Sequence, residues 1–380
     1  MKIAIIGASY LQEPLILKAK AMGHETHVFA WEAGDPGEKM ADYFYPISII
    51  EKDRILEECK RIGIDGICSI ASDIAVVTVN YVAEAMGLVA NPDSTTLRCT
   101  NKSAMREAFR LGGDPSPMSI KVLSGDAEIP DDIKYPLIVK PSDRSGSRAV
   151  KLVHKKEEIP EAIEDAIDQS FAKEAVVEEY VTGQEYSVEG LSYKGVHKIL
   201  QITRKFTCGG NRFIETAHLE PSGLDTEMYK KVEETVLHAL VTLGIENGAS
   251  HSELRIDEVG NINLIEIGAR MGGDCIGSSL VELSTGIDYV RAVIDVALGN
   301  TPCLDPVQKA SAAAIRYILD EKDMEVFNKL SAEHPEYILE SSVPDRIEGI
   351  VTDSSTRSGY FIMKADSSDE LLKYLPTEVR

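Results

Sequence analysis

The chain has 380 residues, of which 62 are acidic and 40 basic, for a formal net charge of -22. A surface that holds duplex nucleic acid or an anionic membrane needs a strong basic patch, and none is present, so both are excluded as partners. Composition is that of an ordinary globular chain, 43% hydrophobic and 27% charged, with room for roughly two to four domains.

The first apolar run, residues 3–6 ending at Gly7, suits a parallel strand buried on both faces. It is too short for a signal peptide or a membrane span, and no segment reaches about 18 apolar residues, so a cytoplasmic location is expected. Six cysteines (Cys59, Cys68, Cys99, Cys208, Cys275, Cys303) show no Cys-x-x-Cys or zinc spacing and read as reduced. Helices are expected over 13–22, 55–61 and 76–86, with strands at 25–30, 66–70 and 88–91. That alternation gives a doubly wound parallel sheet of about 90 to 100 residues. Gly7 to Gln12 reads Gly-Ala-Ser-Tyr-Leu-Gln, which lacks two glycines of the dinucleotide fingerprint. NAD and FAD are therefore not expected, and the loop is either a plain turn or the wall of a substrate pocket.

Asn101 and Lys102 open a helix whose first turn favours anions, so Lys102 is a phosphate contact or a surface charge. Residues 135–140 form an apolar strand that delivers Lys140 to a small loop containing Ser145, Gly146 and Ser147. Such a loop can wrap backbone N–H groups around phosphate oxygens beside a fixed positive charge. A helix over 157–170 follows, then a strand, a crossing segment and another strand. Backbone at Glu178, Glu179, Tyr180 and Val181 can face the edge of a purine, and Glu185 can accept two ribose hydroxyls. Residues 203–222 form a polar loop between strands, and Glu215 and His218 make it more than a connector.

Residues 252–256 and 262–267 suit two strands joined by a turn-rich 257–261, which is a β-hairpin. If it closes around 258–260, Glu253 and Glu266 meet on one face. Two carboxylates that close repel unless a cation lies between them, and Mg²⁺ takes one or two carboxylates plus substrate phosphates. The plain alternative is a solvated hairpin with surface acids. Arg270 adds a permanent positive fork four residues on, and Gly272 and Gly273 let a substrate approach the backbone. Helices at 278–285 and 289–298 follow. The last 80 residues show strands at 312–318, 347–353 and 359–365 with helices at 324–330 and 368–375.

In this order, Lys102, Lys140, the Ser145 to Ser147 loop, Glu178 to Val181, Glu185, Glu253, Glu266 and Arg270 resemble the ATP-grasp superfamily of carboxylate–amine ligases. The branch with L-amino-acid (dipeptide) ligases and carbamoyl-phosphate synthetase large-subunit halves is the most similar. The resemblance spans residues 1–300. It implies an α/β and α+β fold: a doubly wound pre-ATP-grasp domain (1–98), a small lobe with linker helix (99–187), a large lobe with the metal site (188–300) and a C-terminal α+β subdomain (301–380). It also implies ATP held by Lys102, Lys140, Ser145, Gly146, Ser147, Glu178, Glu179, Val181 and Glu185. Mg²⁺, or Mn²⁺ in its place, would lie on Glu253 and Glu266. Glu215, His218 and Arg270 would act at an acyl-phosphate, with Gly272 and Gly273 against the substrate. Many members carry Asn where this chain has Gly268, which bears on a second metal ion.

The activity implied is ATP-dependent C–N bond formation between a small carboxylate and an amine, of amino-acid or dipeptide type, releasing ADP and phosphate. A nucleotide- or carbamoyl-phosphate-type ligase with a non-amino-acid acceptor, and an ATP-binding sensor without turnover, are the alternatives. A homodimer is the default assembly.

Overall fold

The computed structural model describes residues 1–130, 132–146, 148–208, 213–347 and 349–376. Its first sheet is parallel and built from β1 (Lys2–Ile6), β2 (Glu25–Ala30), β3 (Tyr43–Pro46) and β4 (Gly66–Cys68), in the order β3-β2-β1-β4. Ile3, Ala4, Ile5 and Ile6 are fully buried between two apolar clusters, one on each face, which is why this strand reads as a continuous apolar run. The aromatic edge strand β3 was not expected, whereas the strand expected at 88–91 does not form. The Asn91 side chain explains the second difference. It donates to the Asn247 carbonyl and accepts from the Glu246 and Asn247 amides, so this segment docks onto another part of the molecule instead of pairing in the sheet.

The loop after β1 closes on itself. Gln12 Oε1 accepts from the amide and hydroxyl of Ser9, and Gln12 Nε2 donates to the Ile70 carbonyl.

A second, antiparallel sheet is made from β5 (Ser119–Val122), β6 (Leu137–Pro141), β7 (Lys151–Val153) and β8 (Ala175–Glu179), ordered β5-β8-β6-β7. The helix Ile159–Gln169 covers it through Ile159, Ala162, Ile163 and Ala166.

The third sheet is antiparallel and has eight strands among the described residues: β9 (Gln184–Tyr193), β10 (Val196–Thr207), β11 (Glu215–Glu220), β12 (Gly248–Ile256), β13 (Ile262–Gly268), β14 (Ala312–Ile318), β15 (Ile338–Ser342) and β16 (Gly359–Ala365). Their order is β13-β12-β9-β10-β11-β14-β16-β15. Helices Lys102–Gly112 and Thr226–Leu243 pack Met105, Phe109, Val236 and Leu240 against Leu254 and Leu264 on one face. The C-terminal strands are attached edge-on, β14 pairing with β11, and so they carry the sheet onward from the strand that bears Glu215 and His218. No strand covers the described part of 347–353, and the outer strand is Ile338–Ser342 instead.

One buried carboxyl ties three elements together. Glu220, at the end of β11, accepts from the Thr203 hydroxyl of β10 and from Ser284, both at 2.7 Å. Burial pushes its pKa up from 4.5 to about 8. The folded state therefore keeps a proton that the unfolded chain releases, and its contribution is present below pH 4.5 and is lost as pH rises through about 8. Urea midpoints taken at about pH 5 and about pH 9 should show the protein weaker at the higher pH, and Glu220→Gln should flatten that dependence.

Candidate active site

The hairpin of β12 and β13 pairs Glu253 directly with Glu266, with a bulge immediately after Glu253. Cross-strand partners lie on one face, so both carboxylates project the same way. In this structure a separate ammonium neutralises each of them. Lys205 Nζ is 2.6 Å from Glu253 and Lys102 Nζ is 2.8 Å from Glu266. Lys102 also donates to the Arg144 carbonyl beside Ser145, which draws the second sheet's loop onto the third sheet's metal-type pair.

A cleft opens between these two sheets. Ile138, Lys140, Ser145, Gly146, Glu178, Glu179, Tyr180, Val181, Glu185, Glu253 and Glu266 all line it, together with Lys102 and Glu215. Thus, of the residues expected to hold a nucleotide, every one within the described chain shares one cleft; Ser147 lies outside the described residues. Two of them also have protein partners. The Glu178 carboxylate lies 2.7 Å from Lys140 and 2.8 Å from Arg106, fully inside the protein. Burial pushes this carboxyl up, but Arg106 and Lys140 outweigh burial and hold it at about 2. Its work is to fix Lys140. Glu185 is bound by Arg255 at 2.9 Å and Lys205 at 3.0 Å, and Arg255 also donates to the Val181 carbonyl.

On the other side of Glu253 lies a second, larger cavity of about 800 Å³. Ser145, Gly146, Glu215 and Glu253 line both spaces, so Glu253 stands where they meet, with Glu266 on the cleft side. The cavity wall adds Lys205, His218, His251, Arg270 and Gly273, the Ser9–Leu11 loop, and Arg357 from the C-terminal segment. Lys205 is the hub of this wall. Only 3% of its side chain is exposed, and it reaches Glu253, Glu185 and, at 3.6 Å, Glu215. Burial lowers its pKa, but the three carboxylates outweigh burial and keep it charged.

Arg270 departs from expectation. It is not a free fork beside Glu266: its Nε and Nη2 grip both oxygens of Asp73, at 2.8 and 2.9 Å, across from the first domain. Gly268 explains how. A Cβ at that position would sit 2.8 Å from Asp73 Oδ1 and 3.4 Å from Arg270 Nε, so the space a side chain would take is where this ion pair passes. Gly272 does not face the cavity either. Its amide donates to Glu189 Oε2, and a Cβ there would lie 2.5 Å from Glu189 and 2.7 Å from His251. The glycine is needed so that the buried Glu189–His251 pair can close beneath it. Burial pulls the His251 pKa down, but Glu189 outweighs it and raises it to about 9, which leaves an imidazolium 3.4 Å from Glu253.

Lys205, Arg255, His251 and Asp73 were missed from the sequence. Arg255 and His251 alternate with Glu253 along one strand, so period-2 reasoning could have placed them on its face. Lys205 and Asp73 carried no such signal, being strand and helix residues far away in the chain.

The donor set fits a hard divalent ion that arrives with a nucleotide. Two carboxylates project from one face of the sheet, and Mg²⁺ is commonly held by one or two carboxylates together with substrate phosphates; among the described residues there is no cluster of three or more metal-binding side chains. No helix among the described residues is long and apolar enough to cross a membrane.

Three layered sheets with a cleft between the second and third define the ATP-grasp fold. Residues 133–278 match the family model described as ATP-grasp domain, and the chain is similar to ATP-grasp carboxylate–amine ligases. The chain is 26% identical over 279 residues to the uncharacterized protein y4rH of Sinorhizobium fredii, a match covering 70% of this chain and 57% of that protein. It is 24% identical over 326 residues to alanine–anticapsin ligase of Bacillus subtilis, covering 76% of this chain and 68% of that one. The chain thus spans about three-fifths to two-thirds of the length of these relatives. Among solved structures, the L-amino acid ligase from Bacillus licheniformis superposes with a TM-score of 0.81 at 25% identity, covering 98% of this chain and 95% of that one. Phosphoribosylglycinamide synthetase from Anaerococcus prevotii, at 20% identity, superposes with a TM-score of 0.77 over 98% of this chain and 96% of its own, and shows the fold alone.

Two substitutions check this geometry. Glu178→Gln leaves Arg106 and Lys140 buried without their shared counter-charge and should destabilise the protein by about 3–5 kcal/mol, read from urea unfolding, while weakening nucleotide binding in titration calorimetry. Gly268→Asn should loosen the Asp73–Arg270 bridge. A double-mutant cycle with Asp73→Asn is expected to return a coupling of about 0.5–3 kcal/mol in unfolding free energy.

Proposed function

We propose that the protein is an ATP-dependent ligase that activates the carboxylate of an amino acid and joins it to the amine of a second one. The observation that carries this reading is the Glu253–Glu266 pair, both of which line a nucleotide-type cleft while Glu253 also borders a separate large cavity. A carboxylate oxygen of the first substrate attacks the γ-phosphorus, and the bond from that phosphorus to the β-bridging oxygen breaks, releasing ADP. The amine nitrogen of the second substrate then attacks the acyl carbon, the carbon–oxygen bond to phosphate breaks, and the nitrogen gives up a proton. Chemistry of this kind is accelerated mainly by positioning and by neutralising phosphate charge.

Each of the chain's residues has a part in that scheme. Lys140, steadied by Glu178, and Lys102 face the phosphates. Ser145 and Gly146 bring backbone N–H groups to them, and Glu185, held by Arg255, faces the ribose. Val181 and its neighbours Glu179 and Tyr180 border the base. Glu253 and Glu266 would hold Mg²⁺, which when bound screens the phosphate charge. Arg270, oriented by Asp73, and the imidazolium of His251 supply positive charge where the acyl-phosphate oxygens gather. Glu215 and His218 face the same cavity, as does Gly273. A volume of about 800 Å³ far exceeds the needs of bicarbonate, which favours amino-acid substrates over a carboxyphosphate reaction.

The test is ADP and phosphate release from ATP and Mg²⁺ across a panel of amino-acid pairs, with the amide product identified by mass spectrometry. Wild type should turn over at least one pair, and Glu266→Gln should lower kcat by about 10²–10³. Absence of ADP with every pair, alongside normal nucleotide binding, would overturn the reading.

A further inference from the structure

One end of the large cavity is built in a way that the ligase scheme does not use. Asp274 and Cys275 follow Gly273 with φ of 54° and 60°, two successive non-glycine residues in the left-handed region, where side chains are strained. What holds Asp274 there comes from behind. Arg357 Nη2 donates to its Oδ1 at 2.6 Å, and the Tyr317 hydroxyl donates to its backbone carbonyl at 3.0 Å. The guanidinium lies 3.6 Å over the Tyr317 ring and donates through Nε to the Ser354 carbonyl. Arg357 is therefore walled in, at 6% side-chain exposure, while Asp274 keeps 24%.

His218 stands beside this carboxylate. Its ring is fully buried yet lines the cavity, and neither nitrogen has a hydrogen-bond partner among the described residues. Nε2 is 3.6 Å from Asp274 Oδ2, beyond hydrogen-bonding distance. Burial holds the imidazole below its ordinary pKa, so it is neutral and has an acceptor nitrogen. The cavity thus meets a carboxylate oxygen and an unsatisfied imidazole, while Nη2 and Nε of Arg357 are engaged by Asp274 Oδ1 and the Ser354 carbonyl. A buried acceptor that finds no donor is unfavourable, and a site of this kind rejects a ligand that cannot hydrogen-bond to it.

We infer that Asp274 and His218, braced by Arg357 and Tyr317, form the side-chain subsite of the activated amino acid and select side chains that donate hydrogen bonds over aliphatic ones. This rests on the ligase reading and adds the substrate class to it. Hydroxyl, carboxamide, ammonium and guanidinium side chains all satisfy the two acceptors. Leucine or valine would displace water from both and replace nothing.

The experiment compares asparagine, glutamine, serine, lysine and arginine with valine, leucine and phenylalanine. Each is scored for ADP release with one common acceptor, and for binding by calorimetry in the presence of Mg²⁺ and a non-hydrolysable ATP analogue. Wild type should favour donor-bearing acids over aliphatic acids of like size by roughly tenfold or more in kcat/KM and in Kd. Asp274→Leu should reverse that ranking mainly through KM, and Asp274→Asn, which keeps an acceptor oxygen, should restore part of it. MgADP affinity should be unchanged in both variants, since Asp274 does not line the nucleotide cleft, and this reports correct folding. Turnover or binding that favours aliphatic acids, or a ranking untouched by Asp274→Leu, overturns the subsite while leaving the ligase reading standing. Silence from every amino acid in both assays overturns the two together.

Discussion

Two carboxylates directly opposed across a β-hairpin set the terms for everything around them. Left alone, Glu253 and Glu266 would repel and one would take up a proton. Lys205 and Lys102 prevent this, and they come from different places: one from the neighbouring antiparallel strand β10, the other from the first turn of a helix that leads toward the small sheet. The pair is stable only where these elements converge. Geometry that suits a divalent ion is therefore a property of the assembled lobes, and the hairpin by itself supplies only the register.

The same construction recurs one layer out. Lys140 is backed by Glu178, His251 by Glu189, and Arg270 by Asp73. Each of these three cations has a buried or half-buried carboxylate as its partner. Breaking a buried pair leaves an uncompensated charge and is costly, so these pairs fix position far more than they add net stability. For the proposed site, which would receive several phosphate charges, such backing is apt: the cations are held in line beforehand and little reorganisation would remain to be done. The Arg357–Asp274 pair differs, because there the carboxylate is the more exposed partner.

The parts of this arrangement that the chain displays openly are those set by local rules. Period-2 alternation and the turn-rich 257–261 predict the hairpin, and register then forces Glu253 onto Glu266. A strand ending in Lys140 beside a Ser/Gly loop is equally local. What stayed hidden depends on contacts across long stretches of chain. Asp73 meets Arg270 across 197 residues and Lys205 meets Glu253 across 48. No periodicity links such positions. The segment at 88–91 shows the converse: apolar enough for a strand, it is diverted because Asn91 has better partners at Glu246 and Asn247.

Gly268 joins the two kinds of information. Read along the chain it is only an absent ligand. In three dimensions it is the gap through which the first domain reaches the metal-type pair, since any side chain there would press on Asp73. Asp73 sits in the first turn of the helix Asp73–Ala85, where a carboxylate is favoured by the helix's positive end, and burial is outweighed by Arg270 in keeping it ionised. Arg270 thereby takes its orientation from Asp73, 197 residues away in the chain. The helix that follows the N-terminal parallel sheet is thus tied to the proposed site through this ion pair, and a side chain at position 268 would crowd it.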